Sequence, residues 1–151
     1  MNNNDVLRRL RYTFDYKDDT MIKLFGLGGI KVTRAEVSDW LKRDDDEDFK
    51  GIYDKPLAAF LNGMIIDRRG KRDGEQPKPE KTLNNNLILR KLKIALNLKS
   101  EDMLAILKLA DMTVSKHELS AFFRKPTASQ YRLCKDQFLR RFLEGLQRKY
   151  A

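Results

Sequence analysis

Asn84-Asn85-Asn86-Leu87-Ile88-Leu89-Arg90-Lys91-Leu92-Lys93 restates Asn2-Asn3-Asn4-Asp5-Val6-Leu7-Arg8-Arg9-Leu10-Arg11, and this pairing decides how the whole chain is read. At the same offset, Val32-Thr33-Arg34-Ala35-Glu36-Val37-Ser38 lies over Val114-Ser115-Lys116-His117-Glu118-Leu119-Ser120. Asp54, Leu57, Phe60, Leu61 and Gly63 lie over Asp136, Leu139, Phe142, Leu143 and Gly145. About a quarter of the aligned pairs are identical and the register never breaks, so the chain is a duplication of a unit too long for a short-repeat solenoid.

Each unit is punctuated as helices. Val6, Leu7, Leu10 and Phe14, and again Ile88, Leu89, Leu92 and Leu96, recur at helical spacing behind an asparagine run that caps a helix start. A second helix is expected from Asp19 or Thr20 in the first copy, and from Ser100 as cap in the second. The third carries the strongest local signal: Thr33-x-x-Glu36 and Ser115-x-x-Glu118 are capping boxes with Val32 and Val114 in the staple position. The fourth begins around Asp54-Lys55-Pro56 and around Asp136. No period-2 alternation competes, so the fold class is all-α, with two tandem units of about four helices each. The divisions are 1–69 for the first repeat, 70–83 for a linker and 84–151 for the second. The linker holds two glycines and two prolines and reads as solvated and partly extended.

The chain is long enough to bury a core, and its one cysteine, Cys134, closes no intramolecular disulfide. No apolar run is long enough for a membrane span, and the opening Met1-Asn-Asn-Asn-Asp5 lacks the pattern of a signal peptide. A cytoplasmic protein with no membrane role is expected.

Catalytic chemistry finds little to work with. The one histidine, His117, has Ala35 as its counterpart, so the scaffold does not need it. Cys134 has no histidine in its neighbourhood to activate it. Asp44-Asp45-Asp46-Glu47-Asp48 resembles the start of a calcium loop, but Phe49 and Lys55 fall where glycine and a bidentate acid are required, and the counterpart Pro126-Thr127-Ala128-Ser129-Gln130 is uncharged. Gly26-Leu27-Gly28-Gly29 follows a helix and lacks the lysine of a phosphate loop. The reading is a non-enzymatic protein with no cofactor and no metal.

The charge is the informative feature. The chain carries 31 Lys+Arg against 22 Asp+Glu, a formal +9. Residues 1–69 hold 13 basic and 13 acidic side chains, whereas residues 84–151 hold 14 and 6, so the excess lies in the second copy. A field of that sign attracts phosphate backbones. The candidate contacts are Arg90, Lys91, Lys93, Arg124, Lys125, Arg140, Arg141, Arg148 and Lys149, with Arg90 and Lys91 expected to point away from the apolar stripe. Three asparagines in each copy exceed what capping needs, which adds Asn85 and Asn86, and the first-copy equivalents Asn3, Asn4, Arg8 and Arg9. The helix pair 101–123 suggests a helix-turn-helix, but the connection Ala110-Asp111-Met112-Thr113-Val114 is longer than that motif's turn. The expected partner is RNA or DNA, contacted non-specifically. The alternative is a protein–protein interaction module or homodimeric adaptor with no nucleic-acid role.

An opening Asn-Asn-x-[Val/Ile]-Leu-Arg-[Arg/Lys]-Leu-[Arg/Lys], a Val-[Thr/Ser]-x-x-Glu-[Val/Leu]-Ser segment and a closing [Phe/Leu]-x-x-Phe-Leu-x-Gly, all occurring twice in order, resemble the bacterial YehS-like family. The resemblance covers essentially the full chain. It implies a small cytoplasmic protein built from a tandem-repeated domain, with no accepted reaction or cofactor. The matching positions are Asn3, Asn4, Leu7, Arg8, Leu10, Glu36, Leu41, Phe60, Leu61 and Gly63, with Asn85, Asn86, Leu89, Arg90, Leu92, Glu118, Phe123, Phe142, Leu143 and Gly145.

Overall fold

Asn2 turns the chain into its first helix, α1 (Asn3–Phe14): its side chain accepts the Asp5 N–H at 2.8 Å while the Asp5 carboxylate accepts the Asn2 N–H at 2.9 Å. The first copy continues with α2 (Asp18–Leu27), α3 (Arg34–Leu41) and α4 (Asp54–Arg69). The second copy repeats the order as α5 (Asn85–Ala95), α6 (Ser100–Leu109), α7 (Lys116–Ala121) and α8 (Asp136–Tyr150). The computed structural model describes residues 1–151 and contains these eight helices and no strand.

The capping boxes form in both copies, Thr33 with Glu36 and Ser115 with Glu118. The starts of α2 and α6 differ from the sequence expectation. Lys17 and Lys99 hold the cap positions, and the Asp102 carboxylate reaches back to the Lys99 N–H at 2.7 Å, so Ser100 lies inside the first turn. α7 has only six residues, too short for the recognition helix of a helix-turn-helix.

Within each copy the second helix packs along the fourth at backbone contact. A Cβ on Gly63 would fall 1.8 Å from the Leu24 carbonyl oxygen, and one on Gly145 would fall 2.1 Å from that of Ile106. Only glycine permits this approach, and both copies use it at the equivalent position.

Between copies the first helices change partners. α1 packs mainly against α8 and α5 mainly against α4, so each copy's first helix lies on the other copy's last. One core of 29 buried residues results, drawn from both repeats. Leu7, Leu10, Leu89 and Leu92 are fully buried in it. Each such leucine contributes about 2 kcal/mol on leaving water, so the repeats form one body and do not swing about the linker.

The linker is extended but pinned at several points. The Leu83 N–H donates to Asp54 at 2.9 Å, and Glu80 pairs with Lys91 at 2.9 Å. Lys91 therefore does not face solvent as expected. It is 7% exposed and donates to Asn62 of α4, because the exchange of first helices covers the side of α5 that its own copy leaves open.

Candidate nucleic-acid interface

The asparagine runs are occupied inside the protein. Asn86, buried, donates to the carbonyls of Phe122 (3.1 Å) and Arg132 (2.7 Å) and accepts the Cys134 N–H (2.8 Å). Asn4 does the same work one copy earlier, donating to Trp40 and Lys50 and accepting from Ile52. Asn3 donates to the Ile52 carbonyl and to Asp54, and Asn85 to the Cys134 carbonyl and to Asp136. In each run the first asparagine caps the helix, and the other two tie it to the end of the copy's third helix, the irregular segment after it and the start of the fourth. Asn3, Asn4, Asn85 and Asn86 thus have amides directed inward, and the repetition of three asparagines reflects this clamp.

Several of the cations are engaged by groups of the protein itself. Arg141 donates to the Ala110 carbonyl and Arg148 to that of Leu109, both at the C-terminus of α6, where a cation meets the negative end of the helix dipole. Glu144 accepts from both. Lys93 lies over the Phe123 ring at 5.7 Å and Lys149 over Tyr150 at 5.5 Å. Arg90 donates to the Phe123 carbonyl at 2.8 Å but stays exposed, as Arg8 donates to Lys42 in the first copy.

What the structure brings together is a hollow of about 380 Å³ at the end of α7, lined by Asn84, Leu87, Arg90, Arg124, Lys125 and Tyr131 among others. No acidic residue lines it. The first copy builds the same place with its charges balanced. There Arg8 pairs with Asp5 at 2.6 Å and with Asp44 at 3.1 Å, and Arg43 with Asp45 at 3.4 Å. Burial would raise the Asp5 carboxyl, but the Asn2 N–H and the Arg8 guanidinium outweigh it and hold the group below its ordinary range. In the second copy Leu87 stands at the position of Asp5 and Pro126 at that of Asp44. Arg90 thereby loses both carboxylate partners, and Arg124 and Lys125 have no ion pair. The charge asymmetry of the sequence is concentrated at this pair of equivalent hollows.

A second cluster of candidate cations forms where α1 meets α8. Arg8 and Arg9 of the first copy and Arg140 of the second line a cleft of about 580 Å³, with Tyr12 and Gln147. Sequence reasoning placed these residues in separate repeats and had no signal for their meeting, since the exchange of first helices alone produces it.

Cys134 is buried, and desolvation, with the nearby Asp136 charge, pushes its thiol up to about 12, so it stays protonated near neutral pH. His117 is exposed. No helix is long and apolar enough to cross a membrane.

An all-helical tandem duplication with exchanged first helices and one hollow stripped of its acids defines the class of protein. The chain belongs to the family described as protein of unknown function DUF1456, whose model matches residues 3–70 and again 85–150. It is 40% identical over 147 residues, 97% of this chain and 94% of the relative, to the uncharacterized protein YehS of Escherichia coli strain K12. No solved structure matches it.

Proposed function

We propose that this chain is a non-enzymatic, cytoplasmic binding protein that holds nucleic-acid backbone in the hollow formed by Arg90, Arg124 and Lys125. One observation carries the reading. The same hollow in the first copy neutralises its arginine internally through Asp5 and Asp44, and the second copy has Leu87 and Pro126 at those positions. A cationic hollow without internal counter-charges recruits external ones, and phosphate is the anion that arginine forks bind best. Tyr131 on its rim offers a face for an unstacked base, which favours single strands.

The test is a salt titration of a fluorescent single-stranded oligonucleotide. Three phosphate contacts on a single strand give a log–log slope of about −2, so affinity should fall about 20-fold between about 50 and 200 mM salt. Affinity that does not change over that range refutes the reading.

A second reading, a protein-interaction module, is favoured by one feature: Leu133 is 65% exposed beside a hollow lined by Met112, Phe122 and Phe138. It predicts purified protein with an absorbance ratio free of nucleic acid and no salt-dependent oligonucleotide binding.

A further inference from the structure

The exchange of first helices creates two equivalent seams, α4 against α5 and α1 against α8. Their ends are tied alike: the Leu83 nitrogen donates to Asp54 at one, and the Met1 nitrogen donates to Asp136, the counterpart of Asp54, at the other. The seams differ in what lies over them. Across α4/α5 runs the linker. Glu80 sets a carboxylate oxygen 2.9 Å from Lys91, Gln76 and Pro77 rest near Asn62 and Ile65, and about 70 Å³ of space remains beneath. Across α1/α8 lies an open cleft of about 580 Å³ lined by Arg9 and Arg140.

The residues of the open seam are those of the covered one, altered in charge. Arg9 holds the position of Lys91, and Arg140 that of Ala58. Lys91 has two oxygen partners, Glu80 and Asn62. Arg9 has only Gln147, at 3.4 Å, and Glu144, the counterpart of Asn62, is engaged by Arg141 and Arg148. Arg140 donates to no protein group and forms no close ion pair, the nearby Asp136 carboxylate being taken by the Met1 nitrogen and the Asn85 amide, whereas the one lining carboxylate, Asp5, is paired to Arg8. Tyr12, 63% exposed at the position of Ile94, flanks them.

We propose that the α1/α8 seam is a docking site for an extended acidic peptide segment of a partner protein, a glutamate or aspartate of which sits on Arg9 and Arg140 as Glu80 sits on Lys91. The covered seam shows the mode of binding within the same molecule: an extended strand without secondary structure, anchored by a carboxylate to a cation of the first helix. The second guanidinium at Arg140 suits a segment more acidic than the linker, in which Lys78 and Lys81 offset Glu75 and Glu80. The site lies in a different cleft from Arg90, Arg124 and Lys125 and does not depend on the nucleic-acid reading.

The experiment uses the full chain and a fluorescein-labelled peptide copying residues 74–83, in which Lys78→Glu and Lys81→Glu make the segment acidic, read by anisotropy. Arg9→Ala and Arg140→Ala are each expected to weaken binding about tenfold, as is Glu80→Gln in the peptide, because each removes a charge-assisted contact. Arg9→Lys keeps most of the affinity, and Lys55→Ala, an exposed cation outside the seam, leaves it unchanged. The proposal is overturned if the peptide does not bind at about 1 mM, near the weakest affinity worth the name of a site, or if it binds the two arginine variants as tightly as it binds the unaltered chain. It is also overturned if a labelled oligonucleotide loses as much affinity to Arg9→Ala and Arg140→Ala as the peptide does, since the cleft then belongs to nucleic acid.

Discussion

Replacing Asn86 by alanine tests whether the asparagine runs serve the fold. The side chain makes three hydrogen bonds at 2.7–3.1 Å from a position 6% exposed, and they join α5 to the carbonyls of Phe122 and Arg132 and to the Cys134 N–H. Truncation leaves the buried Cys134 N–H without its acceptor, at about 1–3 kcal/mol, and withdraws a donor from two carbonyls, so a total near 4 kcal/mol is expected. For a chain of this size that corresponds to a fall in Tm of about 8–16 °C. Asn84→Ala is the internal standard. It removes only the cap bond to the Leu87 N–H at 2.8 Å, worth about 1 kcal/mol. Urea unfolding followed by circular dichroism, with m unchanged, measures both. If Asn86→Ala loses no more stability than Asn84→Ala, or if it weakens oligonucleotide binding while leaving the midpoint in place, the assignment of the asparagines to the internal clamp is wrong.

Further outcomes follow from the same contacts. Restoring the first copy's acids, Leu87→Asp with Pro126→Asp, neutralises the Arg90 hollow and should cut oligonucleotide affinity at least tenfold, with peptide binding at the other seam untouched. Gly145→Ala brings a Cβ to 2.1 Å from the Ile106 carbonyl oxygen and should force α6 and α8 apart, at about 3 kcal/mol or more in a denaturant titration. Cys134, with its thiol raised to about 12, should resist alkylation at pH 8 in the folded protein, its labelling rate rising only as denaturant unfolds the chain. The Asp136 carboxyl is held below its ordinary range by the Asn85 amide and the Met1 nitrogen, so its contribution to stability is full above pH 4 and drains away as pH falls below that. Asp136→Asn should flatten the acid limb of a Tm-against-pH curve, and an unchanged limb would remove this carboxylate from the account.

The fold was largely legible because its signals are local. A capping box such as Thr33 with Glu36 lies within one turn, and the apolar stripe of Leu89 and Leu92 repeats at helical spacing, so neither needs the rest of the protein to be recognised. Residues of the site were legible only as a surplus of charge. That Arg124 and Lys125 stand in a hollow without acids, while Lys91 is buried against Glu80 and Asn62, depends on contacts between residues far apart in the chain. The caps at Asn2 and Asn84 were legible, whereas the partners of the third asparagine were not, for the same reason: Asn86 finds them at Phe122, Arg132 and Cys134.

By itself the sequence determined the duplication, the eight helices and the concentration of positive charge in the second repeat, each set by neighbours within a few residues or by simple counting. Tertiary structure alone decided which cations remain available and which repeats supply them. Each first helix buries its leucines against the other copy's last helix, and that exchange hides Lys91 and gathers Arg8, Arg9 and Arg140 into one cleft.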